Sequence, residues 1–177
     1  MNAMDLQTVT CLLNLQGFEV VEAVADAPTQ TYRLVVSPTE VLGVCPQCGR
    51  ATAERHLCYD REVVDLPLGG WKTELVVRGF QFRCPPCEKF FTPREPALAS
   101  GAHATERFLE RLAQLATQAE VCTAARFLGV AEKTAEAWYY DYLERRRQEP
   151  AQGLLPVESL GIDELSLKKD TANSSAC

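Results

Sequence analysis

Two short cysteine motifs decide the fold of this chain: Cys45-Pro46-Gln47-Cys48-Gly49 and Cys84-Pro85-Pro86-Cys87. Each motif is a Cys-x-x-Cys turn, and four thiolates from two such turns satisfy the tetrahedral coordination of a structural zinc ion. The gap between the motifs, residues 49–83, is 35 residues long, so an inserted hairpin must bring them together. We therefore predict a structural zinc site whose ligands are Cys45, Cys48, Cys84 and Cys87.

Other assignments of the cysteines remain open from the sequence. A redox Cys-x-x-Cys pair prefers a βαβ context that these motifs lack, and buried thiols without a ligand are a further alternative. His56 and Cys58 lie between the motifs and could replace one ligand. Cys11 and Cys122 fall in helical patterns and are predicted to be small core residues, whereas Cys177 is terminal.

Composition indicates a globular protein. The chain has 177 residues, of which 46% are hydrophobic and 24% charged, and this length excludes a large multidomain enzyme. The longest uncharged stretch, residues 6–18, is interrupted by polar residues and is too short for a membrane span. No basic region precedes an apolar run, so we expect a cytoplasmic protein with no membrane partner. In that reducing compartment, eight cysteines favour metal ligation over disulfides.

The formal net charge of -6 is unevenly distributed along the chain. Residues 45–147 carry 15 Lys and Arg against 14 Asp and Glu, so the acidic excess lies mostly at the two ends. A near-neutral central region is not a strongly basic surface. Any DNA affinity that depends on counterion release should therefore be modest and sensitive to salt.

The periodicity of apolar residues predicts an α+β chain. Strand-like alternation and turn residues define a small antiparallel β module at residues 45–94, with a cysteine pair at each end. A helix and an antiparallel pair of strands precede it, and a further strand follows at residues 158–167. The predicted elements before residue 94 are a helix at 5–15 and strands at 18–24, 31–37, 62–66 and 73–82.

Three helices are predicted after residue 100, at 105–117, 120–128 and 132–147. Four residues in the last two have the spacing of a helix-turn-helix, with small residues where the helices touch and glycine at the turn: Ala125, Gly129, Ala135 and Trp138. The second helix would then face a DNA major groove. The candidate DNA contacts are Lys133, Glu136, Ala137 and Tyr140, together with Arg126. A plain helical bundle is the alternative that this pattern leaves open.

Three groups of residues, in order along the chain, resemble the ISL-three family of insertion-sequence transposases. The first resembles that family's zinc-binding region and consists of Cys45-Pro46-x-Cys48-Gly49, His56, Tyr59, Arg61, Asp65-Leu66-Pro67, Gly70, Phe82-x-Cys84, Cys87 and Phe90. The second, Ala124-Ala125-Arg126-x-Leu128-Gly129-Val130, resembles its helix-turn-helix. The third, Leu160-Gly161-Ile162-Asp163-Glu164 with Lys168-Lys169, resembles the opening of its catalytic domain.

The resemblance implies a transposase that binds the terminal inverted repeats of its element and cuts double-stranded DNA. It implies a DDE carboxylate triad on an RNase H-like fold, holding two Mg²⁺ ions in a full-length relative. Asp163 matches the first carboxylate, and Asp170 is the only acid after Glu164. We therefore expect a truncated transposase with a three-helix helix-turn-helix bundle and a stump of the RNase H-like domain, which binds DNA without cutting it.

Five segments follow from this interpretation. They are an N-terminal helix and β-hairpin at 1–44, the zinc-binding β module at 45–94, the helix-turn-helix at 100–148, a linker at 149–157 and the start of the catalytic domain at 158–177. A homodimer is a candidate assembly. The alternatives are a stand-alone zinc-ribbon regulator or protein-interaction module, and a thiol oxidoreductase that uses one Cys-x-x-Cys pair.

Overall fold

The computed structural model describes residues 5–148 as an α+β fold with one five-stranded sheet, one two-stranded sheet and four helices. The predicted linker, the predicted strand at 158–167 and Asp163 lie outside the described residues. In chain order the elements are α1 (Leu6–Leu13), β1 (Phe18–Asp26), β2 (Thr31–Pro38), β3 (Gly43–Val44), β4 (Ala51–Thr52), β5 (Arg55–Leu68), β6 (Trp71–Cys84), β7 (Lys89–Phe91), α2 (Glu106–Gln118), α3 (Val121–Leu128) and α4 (Glu132–Gln148).

The large sheet has the strand order β1-β2-β6-β5, and β7 pairs with the far end of β6. The predicted antiparallel pairing of β1 with β2 is present, as is a long antiparallel hairpin formed by β5 and β6. A two-residue turn, Gly69–Gly70, joins the strands of that hairpin, and both glycines have positive φ. Such a turn suits a tight hairpin because its twist matches the twist of the strands.

The antiparallel pairing expected within residues 45–94 is present, and the large sheet also contains one parallel pair that the sequence did not predict. β2 and β6 run parallel, with Thr31 opposite Lys72 and Val36 opposite Val77. The sheet therefore continues across residue 44, where the sequence suggested a boundary between two segments. Parallel strands need a long connection, and here the β3–β4 hairpin and β5 supply it.

The sheet core lies where this parallel pair packs under α1. Asp5 caps the start of α1, accepting from the backbone N–H groups of Gln7 and Thr8, and Thr10 Oγ1 accepts from the Val20 backbone N–H at 2.9 Å. The buried members of the sheet core are Val9, Leu13, Leu15, Phe18, Val20, Leu34, Val36, Val63, Leu75 and Val77. Residues from both sides of position 44 thus form a single hydrophobic core.

The helical core forms from α2, α3 and α4 and the segment that precedes them. Its buried members are Ala99, Ala102, Ala104, Phe108, Leu109, Leu112, Ala124, Ala125, Leu128 and Ala135. Val64 and Leu66 of β5 pack against this core, so the helices are attached to the turn end of the β5–β6 hairpin. Within residues 5–148, no helix combines the length and the apolar character that crossing a bilayer requires.

Candidate metal centre and nucleic-acid interface

The two cysteine turns lie at the open end of the β5–β6 hairpin. The first turn joins β3 to β4, where the Cys45 backbone N–H donates to the Arg50 carbonyl and the Gly49 N–H donates to the Cys45 carbonyl, both at 2.9 Å. The second turn begins at Cys84, the last residue of β6, and leads into β7. The Arg83 backbone N–H donates to the Glu54 carbonyl at 2.8 Å, which holds the first turn's hairpin beside β6.

The structure brings together the four cysteines that the sequence nominated. One sulfur from each of Cys45, Cys48, Cys84 and Cys87 lies within 4.8 Å of the other three. The Sγ atoms of Cys48 and Cys84 are 3.6 Å apart. A tetrahedral zinc ion with Zn–S bonds of ~2.3 Å separates its sulfurs by ~3.8 Å, so this donor set fits zinc in both chemistry and spacing.

Three of the clustered thiols have pKa values shifted by their surroundings. The pKa of Cys45 is lowered to about 7, chiefly because the backbone N–H of Cys48 donates a hydrogen bond to its sulfur. Contact with the Cys48 sulfur and burial raise the pKa of Cys87 to about 12, and burial raises the pKa of Cys84. Four thiolates this close repel one another, so a Zn²⁺ ion held by them would offset that repulsion with its positive charge as the remaining protons are lost.

A small aromatic core supports the sulfur cluster. Its buried members are Cys45, Phe82, Cys84 and Phe91, with Phe80 packed against them. The rings of Phe82 and Phe91 are stacked with centroids 6.0 Å apart. We call this group, with the two cysteine turns, the metal end of the molecule. Because its apolar core is so small, a bound metal would supply much of its stability.

Within residues 5–148, the other three cysteines and His56 lie outside the cluster. The His56 ring packs on Phe90, with centroids 4.1 Å apart, and Cys58 is exposed on β5. Cys11 was expected in the core but is exposed, because the buried side of α1 is formed by Val9 and Leu13. Cys122, also expected in the core, is only half-buried at the start of α3.

The predicted DNA contacts lie on α3 and α4. α3 ends at Gly129, whose φ is 71°, and α4 begins three residues later. Ala135 faces the helical core, and the Trp138 ring meets Phe108 edge-on with centroids 6.1 Å apart. The candidate contacts Arg126, Lys133, Glu136, Ala137 and Tyr140 are all exposed.

A buried ion pair that the sequence analysis did not find joins these helices to the sheet. The carboxylate of Asp65 is fully buried on β5 and accepts from Thr105 Oγ1 at 2.7 Å and from Arg107 Nε at 2.8 Å. Arg107 also forms a second bond to Asp65 Oδ2 and donates to the Asn14 carbonyl at 3.0 Å. The sequence analysis singled out Asp65-Leu66-Pro67 only as part of the family resemblance. No spacing pattern in the sequence links Asp65 to Arg107, which is 42 residues away.

The metal end and the helices lie at opposite ends of one hairpin. Asp65 pairs with Thr73 near the turn of the hairpin, whereas Cys84 is the last residue of β6. At ~3.3 Å per residue, the strand between Thr73 and Cys84 spans about 36 Å. The length of β6 therefore separates the four cysteines from the hairpin turn, where Val64 and Leu66 pack against the helical core.

Comparisons with known proteins agree with this geometry. Residues 42–87 match the family model described as the zinc-finger of transposase IS204/IS1001/IS1096/IS1165, and this range contains all four clustered cysteines. The chain is also 28% identical over 153 residues to the transposase for insertion sequence element IS1001 of Bordetella parapertussis. That match covers 86% of this chain but only 37% of the relative. No solved structure matches the chain. The two matches confirm the resemblance to ISL-three transposases that the sequence predicted.

Proposed function

We propose that this chain binds duplex DNA at the terminal inverted repeats of an insertion element. In this proposal α3 and α4 form a helix-turn-helix, and zinc held by Cys45, Cys48, Cys84 and Cys87 stabilises the other end of the hairpin. The observation that carries the proposal is the exposed α4 face in a chain similar to a transposase, since all four α4 residues nominated for DNA contact are exposed.

The chemistry of this face suits a groove-reading helix. Lys133, near the start of α4, would donate to guanine or to a phosphate, and the Tyr140 hydroxyl would donate to a phosphate. Glu136 would accept from the amino group of cytosine. Ala135 and Trp138 hold the opposite side of α4 against α2 and α3, so the reading face is supported by a packed core.

A binding assay tests this function. Fluorescence anisotropy with zinc-loaded full chain would compare a duplex from either end of the element with a scrambled duplex of equal composition. We expect a preference for the element's ends, and we expect Lys133→Ala to reduce that preference about tenfold, at ~1–3 kcal/mol per lost base contact. Lys89→Ala, an exposed change of equal charge on β7, is the matched control. Equal affinity of the unaltered chain for both duplexes would refute the proposal.

For the 177-residue chain itself we expect DNA binding without strand cleavage. Only Asp163 matches a catalytic carboxylate, and the two-metal reaction of the resembled family needs three. Nicking of supercoiled plasmid that carries the repeats, with Mg²⁺ present, is the measurement. Cleavage by the purified chain, abolished by Asp163→Asn, would contradict this part of the proposal.

A homodimer would let one assembly hold two DNA ends, which is the arrangement that we propose for the bound state. Light scattering of the chain with and without a repeat duplex measures it. A complex with one chain per duplex at all concentrations would exclude that arrangement while leaving DNA binding itself intact.

A protein-interaction module is the second candidate function, and exposed apolar side chains at the metal end favour it. They are Leu42, Val44, Leu57 and Phe90, each at least half exposed. Such a cluster can mark a binding surface for another protein. Under this alternative the chain would not distinguish repeat ends from random DNA at moderate salt.

The thiol oxidoreductase alternative is tested by titrating thiols with the metal bound. If zinc is structural, the four clustered cysteines should stay unreactive until a chelator removes it, while exposed Cys11 and Cys58 react at once. Rapid reaction of a Cys-x-x-Cys pair in the zinc-loaded chain would favour the oxidoreductase.

A further inference from the structure

We propose that a cationic groove between the sheet and the end of α3 binds the phosphate backbone of DNA. We call it the backbone groove, and it would hold DNA beside the helix that reads the bases. The inference rests on the proposed function, because it assumes that duplex DNA is the partner of this chain. It adds residues of β6 and α2, and one aromatic residue of α3, to the contacts that the sequence nominated.

The backbone groove is a built feature of the fold, with a volume of about 720 Å³. It opens where the β1–β2 turn and the β5–β6 turn approach α2 and the C-terminal end of α3. Its lining residues are Thr29, Gln30, Leu66, Pro67, Gly70, Lys72, Arg111, Arg126, Phe127, Leu128 and Gly129. The sheet and the helices therefore each form one wall.

The charge of the backbone groove suits a polyanion. Its lining contains Lys72, Arg111 and Arg126 and no carboxylate, although the whole chain has a net charge of -6. Lys72 pairs with Glu74 at 2.7 Å, and Arg111 donates to Gln114 at 3.3 Å. Within residues 5–148 neither arginine forms an ion pair. Two guanidinium groups are thus available for phosphate oxygens, which they bind with forked geometry.

Phe127 adds an exposed apolar surface to the same wall. Its neighbours Ala125 and Leu128 on α3 are buried in the helical core, whereas Phe127 is 70% exposed. Exposing a large aromatic side chain to water costs free energy unless a partner covers it. The apolar face of a deoxyribose, which lies between successive phosphates, is a partner that fits both the ring and the flanking charges.

The backbone groove is continuous with the predicted reading face. Arg126 belongs to both, and Gly129 lies at the groove and also joins α3 to α4. DNA that contacts Lys133 through a base and Tyr140 through a phosphate could therefore run across Arg126 towards Lys72. In such an arrangement the groove residues set affinity and register, while α4 sets sequence preference.

The salt dependence of DNA binding tests the backbone groove. The variant Lys72→Gln, Arg111→Gln, Arg126→Gln would be compared with Arg33→Gln, Arg78→Gln, Lys89→Gln, which removes three exposed charges elsewhere. Each lost phosphate contact lowers the slope of log affinity against log salt by ~0.9, so we expect a fall of roughly 2–3 for the groove variant. The control variant should keep most of the slope. Circular dichroism would establish that both variants are folded.

Phe127→Ala provides a second readout with a different signature. We expect weaker binding by several fold with an unchanged salt slope, because no charge is removed. An unchanged slope in the groove variant, or equal losses in groove and control variants, would overturn the inference while the preference for repeat ends survives. Absence of any duplex binding by the unaltered chain would instead refute the proposed function, and the inference with it.

Discussion

The two ends of the β5–β6 hairpin are stabilised in different ways. At the metal end, four sulfurs and a core with only four buried residues hold two short turns beside the strands. At the turn end, the sheet core and the helical core meet, and a buried carboxylate on Asp65 joins them. A bound zinc ion would therefore stabilise one end of this strand pair, whereas apolar burial stabilises the other.

Removing the metal should have the largest effect on stability, and the resulting unfolding should be confined to the metal end. The sequence alone predicts that chelation unfolds residues 45–94, since a structural zinc contributes roughly 10–16 kcal/mol of apparent binding energy. The structure indicates that a smaller part of this range would unfold. Val63, Leu75 and Val77 belong to the sheet core with α1, β1 and β2, so this part of the hairpin should survive without metal.

Chelation by EDTA, followed residue by residue with NMR, measures this difference. We expect β3, β4 and β7 to lose their dispersed signals while those of α2, α3 and α4 persist. Trp71 and Trp138 both lie away from the sulfurs, so tryptophan fluorescence should change little. Cys84→Ser should reproduce the effect and Cys58→Ser should not. Loss of all helical signals on chelation would show that the two ends are not independent.

Breaking the buried ion pair between Asp65 and Arg107 should destabilise the turn end of the hairpin. Asp65→Ala leaves Arg107 and Thr105 without their carboxylate, and we expect a loss of about 2–4 kcal/mol, less than for a fully buried pair because Arg107 is partly exposed. Urea unfolding followed by tryptophan fluorescence measures it. The matched control is Glu62→Ala, which removes an exposed ion pair with Arg33 and should change stability by under about 1 kcal/mol. A similar loss in both variants would count against a special role for Asp65.

The smallest expected effect concerns the residues that follow the two cysteine turns. Gly49 and Glu88 occupy equivalent positions and both are left-handed, with φ values of 69° and 52°. Only glycine adopts this conformation without strain, so Glu88→Gly should stabilise the metal end by about 1 kcal/mol. Gly49→Ala should destabilise it by a similar amount. The chelator concentration that removes half of the metal measures both changes. A shift of this concentration in the same direction for both variants would contradict the role given to the left-handed positions.

Local patterns were enough to predict much of the fold. The last three helices, the β1–β2 pair and the four clustered cysteines follow from apolar periodicity and from motif spacing, which act over a few residues. The start of β5 was not predicted, since residues 55–60 are exposed and show no apolar alternation. They form a strand because β6 pairs with them and because Tyr59 covers Gly79, where a Cβ would overlap its ring.

Cysteine spacing and helical period are local properties, so they were enough to identify the residues that could bind a metal and the helix that could face DNA. The parallel pairing of β2 with β6, the contact between Asp65 and Arg107, and the three distant cations that line one groove became evident only from the packed fold. These contacts join residues far apart in the chain. No local pattern records them, since their free energy depends on burial that exists only once the sheet and helices have packed together.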